Sequence, residues 1–213
     1  MLTFRVLSAL LSYPTPELKA QLMDAERIVR SEGLLGTPQV EGVCAFLGYQ
    51  RDTPQFDAES AYLDAFDRGR STSLYLFEHV HGESRERGQA MVKLLLRYRA
   101  HGLDPSTREL PDYLPLFLEF LSTRSPAEAA RHLAEVADIV GVIGERLRRR
   151  GAPHASLLDA VASLAPQGAG AAASDSEPNG VDRDDTPAAL DAAWEEAPVT
   201  FNDAQGAPGA AVR

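Results

Sequence analysis

A single cysteine, Cys44, excludes an internal disulfide and any cysteine-rich zinc or iron–sulfur site. It lies in the apolar run Val43, Ala45, Phe46, Leu47, where a small buried hydrophobe is expected. No stretch approaches the roughly 18–20 apolar residues of a membrane span, so direct membrane insertion is not expected. The apolar patch in MLTFRVLSALLSYP is too short for one, and it lacks a basic start and a small-residue cleavage site. It reads as a first helix, and the protein is expected to be soluble and cytoplasmic. Alternating runs of β-branched residues are missing too, which excludes a sheet as the organising element.

Positive charge is scarce where negative charge is dense. The net charge is −10. From Pro166 to Arg213 nine acids face two bases, a net −7, which leaves about −3 for residues 1–165. Binding to nucleic acid is therefore not expected, since phosphate affinity comes from lysine and arginine. The composition divides the chain into a helical domain, 1–165, and an acidic tail, 166–213, rich in glycine, alanine, serine and aspartate like a disordered segment. One island, residues 190–201, breaks the tail: Leu190, Trp194, Val199 and Phe201 resemble a short docking motif, and a chain end folding back on its own domain would look the same.

Residues 1–165 read as helices throughout. Phe4, Leu7, Leu10 and Leu11 share one face before Pro14. Pro16 opens a second helix carrying Leu18, Leu22, Ala25 and Val29, with Gly33 past its end. Val40–Tyr49 forms a short third helix. Thr53 caps a fourth with Pro54 at its first position, carrying Phe56, Tyr62, Leu63 and Phe66. Leu74–His81 is expected as a helix closed by Gly82, and Ser84 caps another running to about Ala100 with Met91, Leu94, Leu95 and Tyr98 at helical spacing. Glu83 and Arg87, four apart, form an exposed pair there worth about 0.3 kcal/mol. Leu110-Pro111-Asp112-Tyr113-Leu114-Pro115 cannot be helix interior and is a rigid entry to a helix over Leu116–Leu121. Ser125, Pro126 and Glu128 form a capping box for one long helix with the stripe Ala129, Leu133, Val136, Val140, Ile143, Leu147. The arginines at 146 and 148–150 suit that helix's C-terminal dipole. Pro153–Ala165 supplies a last short helix.

The densest chemistry sits between Phe66 and Met91. His79 and His81 suggest a metal-dependent hydrolase, but residues two apart on a helix diverge by about 200°, and no H-E-x-x-H spacing supplies the set. A third ligand would have to come from Glu78, Glu83 or His101. No G-x-S-x-G elbow or phosphate-binding glycine loop is present, and paired carboxylates occur only in the tail. The residues point to no catalyst and no bound metal, and favour a binding module.

The same stretch carries a resemblance. Phe66-Asp67-Arg68, Ser73-Leu74 with Phe77-Glu78-His79-Val80-His81-Gly82, and Ser84-Arg85 with Arg87-Gly88-Gln89-Ala90-Met91 resemble the NarJ family of nitrate reductase assembly chaperones. Leu11, Tyr13-Pro14, Glu109-Leu110-Pro111-Asp112 and Leu114-Pro115 extend the likeness, and Trp194, Glu196, Val199 and Phe201 are similar to that family's C-terminal signature. The resemblance implies an all-α fold of the molybdoenzyme-chaperone type, without catalytic activity or a stably bound cofactor. It implies binding of the apo catalytic (alpha) subunit of respiratory nitrate reductase through its N-terminal segment while bis-molybdopterin guanine dinucleotide is inserted. A related client, a dimethyl sulfoxide or trimethylamine N-oxide reductase, is the alternative. On this reading Tyr75, Phe77 and Met91 line a groove, and Asp67, Glu78, Glu83 and Asp112 are rim or anchor acids. Arg68 and Arg87 lie among them, Asp67 pairing with one or the other, while His79 and His81 tune the contact with pH.

Deleting residues 166–213 is expected to leave the helical fold intact by circular dichroism. A large loss of thermal stability would instead show that Trp194 and Phe201 pack on the body.

Overall fold

A computed structural model describes residues 1–81, 85–105 and 109–166. Among these are eleven α-helices: α1 (Leu2–Leu10), α2 (Pro16–Ala20), α3 (Leu22–Glu32), α4 (Thr37–Asp52), α5 (Gln55–Phe66), α6 (Glu78–His81), α7 (Arg85–Ala100), α8 (Leu114–Ser122), α9 (Pro126–Ala134), α10 (Ala137–Arg149) and α11 (Ala155–Ser163). The all-α class expected from the sequence is the class observed. The tail, with Trp194, Glu196, Val199 and Phe201, lies outside the described residues, as do Gly82, Glu83 and Ser84.

The core is built outward from α8. Its sequence LPLFLEFLS is apolar nearly all round, and a helix of that kind has to be enclosed. Leu114, Phe117, Leu118, Phe120 and Leu121 are all buried, and Glu119 is left outside. Packed on it, α1 offers Phe4, Leu7 and Leu10 and lies also against α3. Helix α11 sits between α4 and α10 and reaches α1. At the α10–α11 crossing Gly144 is required by space, since a Cβ there would stand 3.1 Å from that of Leu158. Gly33 closes α3 with φ 69°, a left-handed conformation that glycine adopts without penalty.

The capping box forms as written: Ser125 Oγ accepts from the Glu128 N–H, and Glu128 Oε2 accepts from the Ser125 N–H at 3.2 Å. Every residue of the stripe from Ala129 to Leu147 is buried. The single long helix, however, is two, α9 and α10, parted at Glu135–Val136. No proline or glycine stands there, so nothing local announces the break.

Other expectations need correcting. The second helix breaks at Gln21 into α2 and α3, and α4 runs Thr37–Asp52, well beyond Val40–Tyr49. Thr53 ends α4 rather than capping α5, for which Pro54 is the N-cap. Phe56 is 78% exposed and Leu63 points outward, so only Tyr62 and Phe66 enter the core from that set. Cys44 is half-buried beside Arg30, not enclosed.

Among the buried polar groups, one histidine is enclosed by aromatic rings. His154 is buried against Phe46, Tyr62 and Phe66, with ring centroids 5.0, 6.1 and 5.1 Å away, and its Nδ1 has no hydrogen-bond partner. Burial pushes its pKa down to about 4. Between that value and the unfolded value of about 6.5 only the unfolded chain takes up the proton, so stability falls as pH drops through this window. Between pH 7 and pH 5 the protein should lose about 2 kcal/mol through this group. Urea denaturation at both pH values should show that difference shrinking in His154→Leu.

Candidate functional site

Between α5 and α7 the backbone leaves the helical regime. Arg70–Thr72 makes one 3-10 turn, and the chain then runs extended through Ser73–Tyr75 before turning into α6. The helix expected over Leu74–His81 is therefore confined to Glu78–His81. What displaces it is a tertiary partner. Tyr75 bridges antiparallel to Tyr113, with the Leu76 N–H donating to the Asp112 carbonyl at 3.0 Å and the Leu114 N–H to that of Leu74 at 2.9 Å. Pro111 and Pro115 keep the partner segment out of a helix until Leu114, so its backbone groups need partners from elsewhere.

Asp112 locks this pairing. It has no exposed surface, and its Oδ2 accepts the Phe77 N–H at 3.1 Å. Burial pushes its carboxyl pKa up, opposed by the Phe77 hydrogen bond and the charge of Arg87. Asp112 is thus an interior brace and not a rim acid. Arg87, expected to meet Glu83 or Asp67, pairs with Glu78 at 3.3 Å, both side chains three-quarters buried or nearly so. Arg68 pairs with Asp64 at 2.7 Å.

The histidines part company. His79 Nε2 lies 2.9 Å from the Ser73 carbonyl, which can only accept, so that nitrogen carries the proton. His81 stacks edge-on to Phe77 at 5.7 Å, with Nδ1 3.8 Å from Glu86. Among the described residues no three His, Cys, Asp or Glu side chains gather as a metal site. Phe77 and Met91 are half-buried. From the opposite side α10 supports the turn: the Arg146 guanidinium donates to the Ser71 carbonyl at 2.7 Å, and Arg150 to Ser71 Oγ at 2.6 Å and Thr72 Oγ1 at 3.1 Å. Those arginines do more than answer a helix dipole.

Around the pairing runs a row of tyrosines, with Tyr13 exposed, Tyr75 and Tyr113 half-buried and Tyr62 buried behind them. Tyr13 stands edge-on to Tyr62 at 5.6 Å, Tyr62 and Tyr113 share a hydrogen bond of 3.0 Å, and Tyr113 packs on Tyr75 at 5.3 Å. The Tyr62 hydroxyl also reaches the Leu11 carbonyl at 3.1 Å, where it must donate, so Tyr113 donates to Tyr62. Three acids edge the row. Glu59 faces Tyr13, Asp67 faces Tyr62 and Tyr113, and Glu109 accepts from the Tyr75 hydroxyl at 3.1 Å. Burial, then Glu109, push the Tyr75 pKa up to about 12, so the row stays neutral at physiological pH. Phe56 and Leu63 lie exposed at helical spacing on the outer face of α5, and exposed Asp67 follows just past its end.

The surface thus joins an exposed apolar strip, aromatic rings with polar tips, and carboxylates. Of the residues singled out in the sequence, Asp67 and Tyr75 belong to it. Tyr13, Glu59, Phe56 and Tyr113 were missed as surface groups, because only the fold brings residues 13, 62, 75 and 113 together.

The family model for the nitrate reductase delta subunit matches residues 37–165. The chain is 41% identical over 201 residues to the probable nitrate reductase molybdenum cofactor assembly chaperone NarW of Escherichia coli K12, covering 94% of this chain and 84% of the relative. It is 40% identical to the nitrate reductase molybdenum cofactor assembly chaperone NarJ of the same strain, over 94% and 85% of the two chains. A probable chaperone of that name from Bacillus subtilis is 34% identical over 161 residues, 74% of this chain and 84% of its own. The two Escherichia coli matches are long enough to run past Pro166 into the acidic tail.

Asp112→Ala should cost about 2–3 kcal/mol in urea denaturation, because the Phe77 N–H loses its buried acceptor. Asp112→Asn keeps an oxygen there and removes a buried charge, and should stay within about 1 kcal/mol of wild type.

Proposed function

The chain belongs to the nitrate reductase delta subunit family, and from that membership we infer that it is an assembly chaperone for a nitrate reductase and not an enzyme. It acts on the apo catalytic subunit while the molybdenum cofactor is installed, and it works in the cytoplasm. The cofactor, as bis-molybdopterin guanine dinucleotide, is cargo delivered to the client and not a resident group of this chain. No helix among the described residues is long and apolar enough to cross a membrane, which accords with a chaperone that meets its client before membrane assembly.

The client's N-terminal segment docks on the surface formed by α5 and the tyrosine row. The observation that carries this reading is the acid edge, with Glu59, Asp67 and Glu109 beside Tyr13, Tyr75 and Tyr113. A basic amphipathic helix would lay its apolar side on Phe56, Leu63 and the rings of Tyr13, Tyr75 and Tyr113 and its cations against the carboxylates. Rigid aromatic side chains with polar tips lose little conformational freedom on contact, which suits transient, specific capture. The remaining residues of the central stretch have a second task. Glu78, Arg87, His79 and Asp112 hold the extended segment in shape, and Phe77 and His81 pack beneath it.

Titration calorimetry with a synthetic peptide of the client's N-terminal segment tests this. Replacing Asp67 by lysine should weaken binding about tenfold, or roughly 1.4 kcal/mol, and Phe56→Ala by a similar factor. Glu78→Ala should act by loosening the fold, lowering the melting temperature along with affinity. Unchanged affinity in both Asp67→Lys and Phe56→Ala, with intact melting curves, would move the docking surface elsewhere.

A further inference from the structure

Helix α7 is held lightly. Of its sixteen residues only Leu94 and Tyr98 are buried. On the opposite side Val92 and Leu96, one turn apart, are 57% and 59% exposed. At helical spacing around them lie Arg85, Gly88, Lys93 and Arg99, all exposed. Arg99 leans toward Asp104 at 3.1 Å, whereas Arg85 and Lys93 make no ion pair among the described residues. Gln89 lies on the same face and Glu86 at its edge, both exposed, so two apolar side chains stand among two cations without an ion pair, one paired cation and one acid, a surface that suits an acidic partner with apolar anchors.

We propose that this face of α7 is the docking site for the chain's own C-terminal segment, residues 190–201. That segment has the complementary chemistry: Asp191, Glu195 and Glu196 among Leu190, Trp194, Val199 and Phe201. Its apolar side chains cover Val92 and Leu96, and its carboxylates meet Arg85 and Lys93. Tether length permits this. The 24 residues from Pro166 to Leu190 span about 27 Å as a flexible coil and about 80 Å at full extension. A body of this size has a radius of gyration of about 15 Å, so every part of its surface is within reach. Tethering also sets the competition. A linked segment acts at an effective concentration in the millimolar range, well above that of a separate acidic peptide of equal affinity. The contact is modest and salt-sensitive, as befits two apolar anchors and exposed charges. It places the tail on α7, away from the acid-edged tyrosine row, and does not depend on which client that row receives.

Trp194 is the only tryptophan in the chain, so its fluorescence reports the contact in the full-length protein. Its emission should be blue-shifted relative to a synthetic 190–201 peptide and should not vary with protein concentration. Leu96→Asp and Lys93→Glu should each shift it to the red and raise acrylamide quenching several-fold. Adding Glu195→Lys and Glu196→Lys to Lys93→Glu should restore the blue shift. Lys93 is exposed and braces nothing, so this arm holds even if Leu96→Asp melts early. The proposal fails if wild-type emission matches the free peptide, or if the blue shift survives both substitutions. It fails equally if the shift grows with protein concentration, which would mark a second copy as the occupant. Lys93-dependent binding to phosphatidylglycerol vesicles with unchanged Trp194 emission would assign the face to a lipid surface and also overturn it.

Discussion

One buried carboxylate sets the architecture of the region that matters. Asp112 takes the Phe77 N–H while its own backbone carbonyl takes that of Leu76, so a single residue holds two consecutive donors of the opposing segment. The result is a scrap of antiparallel pairing inside a helical protein, and everything presented outward follows from it. Tyr75 and Tyr113 face the same way because they are bridged, and Tyr62 and Tyr13 extend the row because α5 and the end of α1 pack beside it. A carboxylate with no exposure and one oxygen unbonded is an expensive brace. Its value is positional: an apolar residue would leave the Phe77 N–H orphaned, and a longer one would push the segments apart.

The sequence announced the helices where local signals are strong. The Ser125–Glu128 capping box, Gly33 at the end of α3 and the stripe through Leu147 act over a few residues and need no partner to be read. It misled where tertiary pairing outweighs propensity. A helix over Leu74–His81 fits the residues, yet the backbone at Leu74–Leu76 is drawn out to pair with residues 112–114, and only Glu78–His81 is helical. A hint did exist in the two prolines flanking that partner segment, which leave backbone groups unpaired. The candidate surface was half legible for a similar reason. Asp67 and Tyr75 stand in the conspicuous central stretch, whereas Tyr13, Glu59 and Tyr113 are ordinary residues until folding makes them neighbours. Resemblance to a family supplied the class of function, but the family motif mixes residues that face outward with others, such as Asp112 and His79, that are turned inward.

Charge is sorted over the surface as well as along the chain. Acids gather beside the tyrosine row, and Arg85, Lys93 and Arg99 gather on the outer side of α7, the first two without an ion pair among the described residues. Net charge alone, −10, conceals this arrangement. Two faces of different charge on one small body would suit ligands of different character, and any contact made through exposed charges on either is weakened by salt.

The packing of α1 against α8 has a consequence for how the protein is made. Ser8 Oγ donates to the Pro115 carbonyl at 2.7 Å across 107 residues of sequence, and Phe4, Leu7 and Leu10 find their apolar neighbours in the same distant helix. On a ribosome adding about 5–20 residues per second, α1 emerges roughly 5–20 s before α8 does. For that interval its apolar side has α3 but not α8 to lie against, so the nascent protein itself offers a partly covered helix to its surroundings. A member of an assembly-chaperone family thus passes through an unfinished stage of its own.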